Sequence, residues 1–354
     1  MRSCICTLCL LLWVMAAAAA VGAEPQTSPV DPVAKLAEEV KSLGWIVFSA
    51  RSASGDFDLY LSRPDGSDLR RLTDTREYHE LGGRFSPDGT KMLYRRLPRR
   101  VRFDHTEWGA LGELVLADAD GANPVVLGAN RQFPTATWGP DGKQIACLHI
   151  REGVIRVYDL TTKAMVMERP RQGIFRQLSW SADGRAWVGS ADVDGLDWNI
   201  VSIDIATGQR TLLSRGTCCT PDWVQGGSQR VVYSHGQGLE RDDGWNVIMV
   251  ATADGKSRSL LYGERGRHIY YACTSPDAQY VIFSRRLRND GPAEGEMAII
   301  RMADAPIVVG GTESYDALMR EQYGAFNSGP VLHLTRLPAG FEPHWADAKV
   351  GARP

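Results

Sequence analysis

Seven side chains of metal-ligand type are the first candidates for chemistry in this sequence: His79, Glu80, Cys218, Cys219, His268, Glu342 and His344. Imidazole, thiolate and carboxylate are the donors that zinc and other transition ions take. No short ligand spacing joins these residues, so they form a site only if the fold gathers them from distant parts of the chain. A second group is cationic: Arg51, Arg95, Arg96, Arg99, Arg100 and Arg102, then Arg285, Arg286 and Arg288. Set against Asp192, Asp194, Asp197, Asp242 and Asp243, they would polarise one surface and let it dock an anionic partner. Trp108 and Trp245 lie in or beside the same segments and are ligand candidates with them. No G-x-S-x-G nucleophile motif and no phosphate-cradling glycine loop of Walker type is present.

The elements that must position these residues are written in a repeat. It reads RFSPDGTKMLYRR from Arg84, TWGPDGKQIACLHI from Thr137, SWSADGRAWVGSA from Ser179 and TSPDAQYVIFSRR from Thr274. Eroded copies stand at DWVQGGSQRVVYSH from Asp222 and HWADAKV from His344. Self-similarity at roughly 40–50 residues with strand-like runs in each copy is the signature of a propeller or solenoid. Each copy divides into four strands, a to d. Strand a ends at an aromatic such as Trp138 or Trp180, and a Pro-Asp-Gly turn leads to strand b. Asp-Gly at such a junction is a strong hairpin signal, because glycine accepts positive φ without steric cost.

Six strands of type a are expected, near Leu81, Thr135, Gln177, Thr220, Tyr271 and Glu342. The last has no complete b, c and d strands after it, and the first strands, from Trp45, have no a strand before them. Joining the two ends completes one blade and closes the ring, which leaves no open sheet edge. The fold class is therefore all-β: a six-bladed β-propeller over 45–354 with terminal-strand closure. Asp31 to Leu43 reads as a short helix, with Asp31 as cap, Gly44 as stop and a stripe of Val33, Leu36, Val40 and Leu43 that would dock on the propeller. The b–c loops at 97–111, 192–198, 236–244 and 287–295 are long, whereas the a–b turns are tight, so the b–c face is the expected binding surface. Arg99, Arg100, Arg102, Trp108, Trp245, Arg285, Arg286 and Arg288 are its candidate contacts. The seven ligand-type residues would crowd the top of the central channel, where the d–a connections enter the a strands. The excursion 303–330, with a helix expected over 313–326, would lie on the opposite face.

Several repeated features have structural readings. Asp88, Asp141, Asp183 and Asp277 are expected to bond backbone N–H groups within their turns. Asp118-Ala119-Asp120-Gly121 begins like a calcium loop, but the twelfth position is Ala129 rather than a bidentate Glu, which makes it a hairpin turn. Trp138, Trp180, Trp223 and Trp345 recur at one blade position and are expected in the core. At the N-terminus, Arg2, the apolar run 8–21 and the small residues before Glu24 form a secretory signal with cleavage expected after Ala23, followed by a spacer and helix over 24–44. No later apolar run is long enough to span a bilayer. With 40 Lys+Arg against 42 Asp+Glu, the chain carries no global field for nucleic acid. Cys147, Cys218, Cys219 and Cys273 remain after the leader, as free thiols or with Cys273 paired to one of the adjacent two.

The repeats resemble those of TolB-type six-bladed propellers. The residues that carry the resemblance are Phe85-Ser86-Pro87-Asp88-Gly89-Thr90-Lys91, Trp138-Gly139-Pro140-Asp141-Gly142-Lys143, Asp118-Ala119-Asp120-Gly121 and Arg70-Arg71-Leu72-Thr73. It extends from Trp45 to Asp347, without the α/β domain that precedes the propeller in that family. The resemblance implies an exported, periplasmic or secreted propeller that binds another macromolecule without catalysis. The expected partner is an envelope protein or anionic envelope polymer, with no nucleic acid, no membrane span and no cofactor. The alternative, resting on the seven ligand-type residues, is a channel-centred and possibly metal-dependent polysaccharide lyase or hydrolase.

Overall fold

The structure is a computed structural model, and it describes residues 31–101, 112–133, 135–237, 245–264, 266–287, 290, 295–304, 307–310 and 329–350. The leader expected over 1–23, the spacer expected over 24–30, Arg102, Trp108, Arg288, Asp242, Asp243 and the helix expected over 313–326 lie outside these residues.

Six antiparallel sheets form the blades. The first takes strands from both ends of the repeat array: Gly340–Ala346 innermost, then Trp45–Arg51, Phe57–Ser62 and Arg70–Arg71. The seam between them runs Trp45↔Ala346, Ile46↔Trp345 and Val47↔His344, then after a bulge Ser49↔Phe341 and Ala50↔Gly340. The ring therefore closes as the sequence expects. Blade 2 holds Tyr78–Phe85, Lys91–Pro98, Gly112–Asp118 and Val125–Phe133. Blade 3 holds Ala136–Trp138, Gln144–His149, Val154–Asp159 and Met165–Pro170. Blade 4 holds Ile174–Trp180, Ala186–Val193, Leu196–Asp204 and Arg210–Ser214.

Blade 5 begins with Cys218–Trp223, Arg230–Gln237, Trp245–Thr252 and Ser257–Gly263, and it gains a fifth strand, Ile307–Gly310. That strand comes from the c–d connection of blade 6, whose own strands are Arg267–Thr274, Tyr280–Leu287, Glu296–Arg301 and Leu332–His333. The excursion after Ala303 thus crosses to the outer edge of the neighbouring blade. One further connection differs from expectation. The segment 192–198 is a tight hairpin rather than a loop: Val193 pairs with Leu196, and Asp194 and Gly195 both take positive φ, 56° and 76°. Positive φ at both central residues is the two-residue turn that matches strand twist.

The turns behave as their composition dictates. Asp88, Asp141, Asp183 and Asp277 each accept the backbone N–H two residues on, at 2.9–3.1 Å. Each pair of neighbouring blades encloses an apolar cluster, because a blade's two faces both meet other sheets. Trp345 is wholly buried, Trp138 and Trp223 nearly so, and Trp180 is half-buried.

The helix Pro32–Val40 lies over the seam. Leu36 and Val40 are fully buried in the cluster that blades 6 and 1 share, and burial of each side chain stabilises by about 1.5–3 kcal/mol. Glu39 pairs with Arg301 at 2.7 Å and accepts the Tyr280 hydroxyl, while Trp345 donates its indole N–H to the Leu43 carbonyl. The helix is thereby bonded to blade 6, and the turn that follows it to the closing strand of blade 1. Among the described residues, no helix is long and apolar enough to cross a membrane.

Candidate functional site

The inner strands share a local distortion that shapes the axis. In five of them the pairing with strand b slips by a bulge, and the residue at the slip is left-handed: Gly82 (φ 64°), Gln177 (49°), Thr220 (50°), Tyr271 (57°) and Glu342 (52°). Four of these are not glycine, and each such position costs on the order of 1–3 kcal/mol. The bulge frees the residue from the ladder. A cavity of about 60 Å³ between the inner strands is lined by Gly82, Gln177, Tyr271 and Glu342, together with Arg84, Arg95, Arg176 and Thr135.

Strand b supports this ring through one position. The residue preceding each slip pairs with Ser49, Ser190, Ser234, Ser284 or, in blade 2, Arg95. The serines stitch the ring. Ser49 Oγ accepts the Gly82 N–H at 2.9 Å, Ser190 donates to Gln177 Oε1 at 2.7 Å, and Ser284 donates to the Gly340 carbonyl at 3.0 Å. Ser234 and Thr220 share a hydrogen bond of 2.8 Å, and Thr220 Oγ1 accepts the Tyr271 N–H. Arg95 departs from the serine pattern: its Nη2 reaches Glu342 Oε1 at 3.1 Å. A side chain on Gly82 would collide with that carboxylate, since a Cβ there would stand 2.9 Å from Glu342 Oε2. Glycine at 82 and glutamate at 342 are thus two halves of one arrangement.

Two residues further along the strands, Arg84 and Asp222 form an ion pair of 2.8 Å between blades 2 and 5. Asp222 also accepts the Ser179 hydroxyl at 2.5 Å, and Trp138 donates its indole N–H to the Arg84 carbonyl at 2.9 Å. Beside them His344 Nδ1 accepts the Phe85 N–H at 3.2 Å. Burial, with Arg84 alongside, pushes the His344 imidazole down to about 3. These residues line a cavity of about 290 Å³ that reaches the a–b turns at Pro87, Pro140 and Pro276.

The seven ligand-type residues are dispersed. Glu342 lines the upper cavity, and His344 lines the other one, past the ring rather than at the top of the channel. His79 is buried against Phe57 and accepts its backbone N–H at 3.1 Å; burial pushes its pKa down. Glu80 is fully buried and accepts the Thr75 hydroxyl. The Cys218 thiol is buried and faces Ser214 and Gly216, Cys219 is half-buried, and the His268 ring meets the Tyr270 hydroxyl at 3.0 Å. Alternation along a strand explains the scatter, because every second side chain of an inner strand points into the neighbouring blade instead of the axis. Among the described residues no three His, Cys, Asp or Glu side chains gather as a metal-binding group. Among the described residues Cys147, Cys218, Cys219 and Cys273 form no disulfide, and burial pushes Cys147, Cys219 and Cys273 up to about 12.

The arginine cluster also separates. Arg95 and Arg96 belong to strand b of blade 2 and Arg285 and Arg286 to strand b of blade 6, not to the loops beyond them. Arg96 pairs with Glu113 at 2.8 Å. Arg285 bridges Glu264 and Glu296, each at 2.5 Å, and Arg286 donates to the Asp290 carbonyl. Arg99 is exposed, donates to the Ser54 carbonyl and stands 3.9 Å from Asp56, while Arg100 is exposed at the strand end. Trp245 begins strand c of blade 5 opposite Gln237. Arg84, Asp222 and Arg176 had no signal of their own in the sequence; the closed ring sets Asp222 against Arg84 and brings Arg176 and Arg84 to the smaller cavity.

A closed circle of six antiparallel blades, five of four strands and one of five, sealed by pairing the last strand with the first, is a β-propeller, and its fold is like that of TolB structures. TolB from Acinetobacter baumannii superposes with a TM-score of 0.59 at 17% identity, over 85% of this chain and 66% of that one. A putative TolB from Agrobacterium tumefaciens gives 0.55 at 18% identity, over 82% and 97%. A chain of the nidogen/laminin complex gives 0.52 at 9% identity, over 82% and 98%. The chain therefore spans about two thirds of the Acinetobacter TolB. No protein-family model matches the sequence, and neither does any curated protein.

Proposed function

We propose that this chain is an exported, non-catalytic binding scaffold of the cell envelope. It would be cleaved after Ala23 and would engage a protein or anionic polymer through the face of its b–c connections. The observation that carries this reading is the asymmetry between the two faces. The a–b turns 86–90, 139–143, 181–185 and 275–279 are short and uniform, whereas the b–c connections of blades 2, 5 and 6 run over 99–111, 238–244 and 288–295. Connections that vary in length on a rigid frame are where binding residues concentrate.

The ion pairs refine which charges can act. Arg95, Arg96 and Arg285 are matched by internal carboxylates. The attraction would therefore come from Arg99, Arg100, Arg102 and Arg288, with Trp108 and Trp245 as apolar anchors. Rim charges of this kind change association rate and salt dependence more than they change final affinity.

Affinity capture from an envelope extract tests the proposal, with the wild type compared with the triple variant Arg99→Ser, Arg100→Ser and Arg102→Ser. The expected result is a several-fold loss of captured partner that narrows as salt rises. Equal capture by both proteins at every salt concentration refutes docking through this face.

A further inference from the structure

The cavity on the opposite face is built differently from a solvent-filled channel end. Its floor is the Arg84–Asp222 pair, and the contact is end-on: only Nη1 of Arg84 meets the carboxylate, at 2.8 Å. Among the described residues no acceptor meets Arg84 Nε or Nη2, and the side chain keeps 34% of its exposure. Its guanidinium thus keeps donors to spare, and Arg84 lines this cavity as well as the smaller one. His344 adds another. Its Nδ1 accepts a backbone N–H, so the neutral ring carries its proton on Nε2, and no described residue accepts that proton. Asp222 supplies the complementary group, a carboxylate with lone pairs beyond those bonded to Arg84 and Ser179. Phe85, Trp138, Trp180, Trp223, Pro140 and Pro276 give the walls broad aromatic and apolar surface, with Ser86, Thr137, Gln225 and Asp347 beside them.

We propose that this cavity captures the C-terminal residue of a peptide, with its carboxylate on Arg84 and His344, its amide N–H on Asp222 and its side chain against the tryptophan and proline wall. A carboxylate is the planar, two-oxygen acceptor that a guanidinium fork matches. The neighbouring N–H answers the one acidic acceptor on the floor, and a chain terminus is the part of a peptide that presents both from a single Cα. The volume, about 290 Å³, suits one residue and not a longer stretch. The aromatic edges favour an apolar terminal side chain over a hydroxylated sugar acid, which would leave several hydroxyls against carbon.

This site is independent of the long-loop face, and titration calorimetry on the purified protein separates the two. The probes are N-acetyl-Gly-Phe as the free acid, the same peptide as its C-terminal amide, and glucuronate. The acid is expected to bind with a dissociation constant of about 1 mM or below and the amide at least about tenfold more weakly. Glucuronate is expected to bind more weakly than the acid. Equal affinity for acid and amide, no binding of the acid, or glucuronate binding as well as the peptide each overturns the proposal. Arg84→Gln alone would strand Asp222 without its partner, so the second arm uses Arg84→Gln with Asp222→Asn, which removes both charges at similar volume. It should abolish the preference for acid over amide; retention of the preference overturns the assignment to Arg84. The triple loop variant of Arg99, Arg100 and Arg102 should bind the acid as the wild type does, and loss of binding there would place the peptide on the other face.

Discussion

Glu80 shows what burial does to one residue that reads as a metal ligand in the sequence. Its side chain is fully buried, the Thr75 hydroxyl reaches one oxygen, and Oε2 meets no hydrogen-bond partner among the described residues. Desolvation raises its carboxyl to about 7, against a lowering by Thr75. The unfolded chain releases this proton near 4.5, so between 4.5 and 7 the native state holds a proton that the unfolded state has lost. Stability from this group is full below that window and falls as pH rises through it, by about 3 kcal/mol in all. Glu80→Gln should remove the dependence: in urea titrations the variant's advantage over wild type should grow from pH 5 to pH 8. A constant difference across that range would contradict the assignment. The same residue marks a limit of sequence reading. Proximity to a d–a connection placed Glu80 and His79 near the axis, but a one-residue alternation decides whether a side chain faces the axis or the next blade. Arg84 and Asp222, 138 residues apart, look like residues flanking turns until the ring sets them face to face.

Among the elements, the Pro-Asp-Gly turns were the most legible, because their geometry follows from local chemistry alone. Gly89 takes φ 70°, and a Cβ there would stand 2.3 Å from the Asp347 carbonyl oxygen in the segment that follows the closing strand. Gly55 has φ 85° with nothing within 4 Å of the same added atom. Gly55→Ala should therefore cost only the backbone term, about 1 kcal/mol, and Gly89→Ala about 1–3 kcal/mol more, as read by chemical denaturation. Equal losses would show that the 89–347 contact is slack. Less legible were elements whose identity depends on a neighbour. The hairpin tip around Asp194 is polar enough to pass for a loop, and Ile307–Gly310 becomes a strand only because the outer edge of blade 5 is there to receive it. A short apolar run carries no periodicity from which such pairing can be read.

At the scale of the whole molecule, closure is the feature on which the rest depends, and the repeat count made it readable: one blade without an inner strand, one inner strand without a blade. Deleting 340–354 would strip Trp45–Arg51 of its inner partner and remove Trp345 from the cluster under the helix. The truncated chain should lose its sharp unfolding transition, bind a hydrophobic dye and self-associate through the bared edge. A monomer that melts like the intact protein would mean that the seam contributes little. What the whole sequence left unreadable was the ligand, since turns and blade contacts occupy most of the repeat and serve any propeller alike. The left-handed bulges carry one more consequence. Five inner strands take the same backbone posture at the slip, and residues as unlike as Gly82, Gln177, Thr220, Tyr271 and Glu342 occupy it. Glycine takes that posture at no steric cost and a β-branched residue such as Thr220 at the greatest, so the side chain at each slip sets how much strain its blade stores. Gly82 is the relaxed member of the set, and glycine at any of the other four slips would release that strain and leave a gap where a side chain now stands.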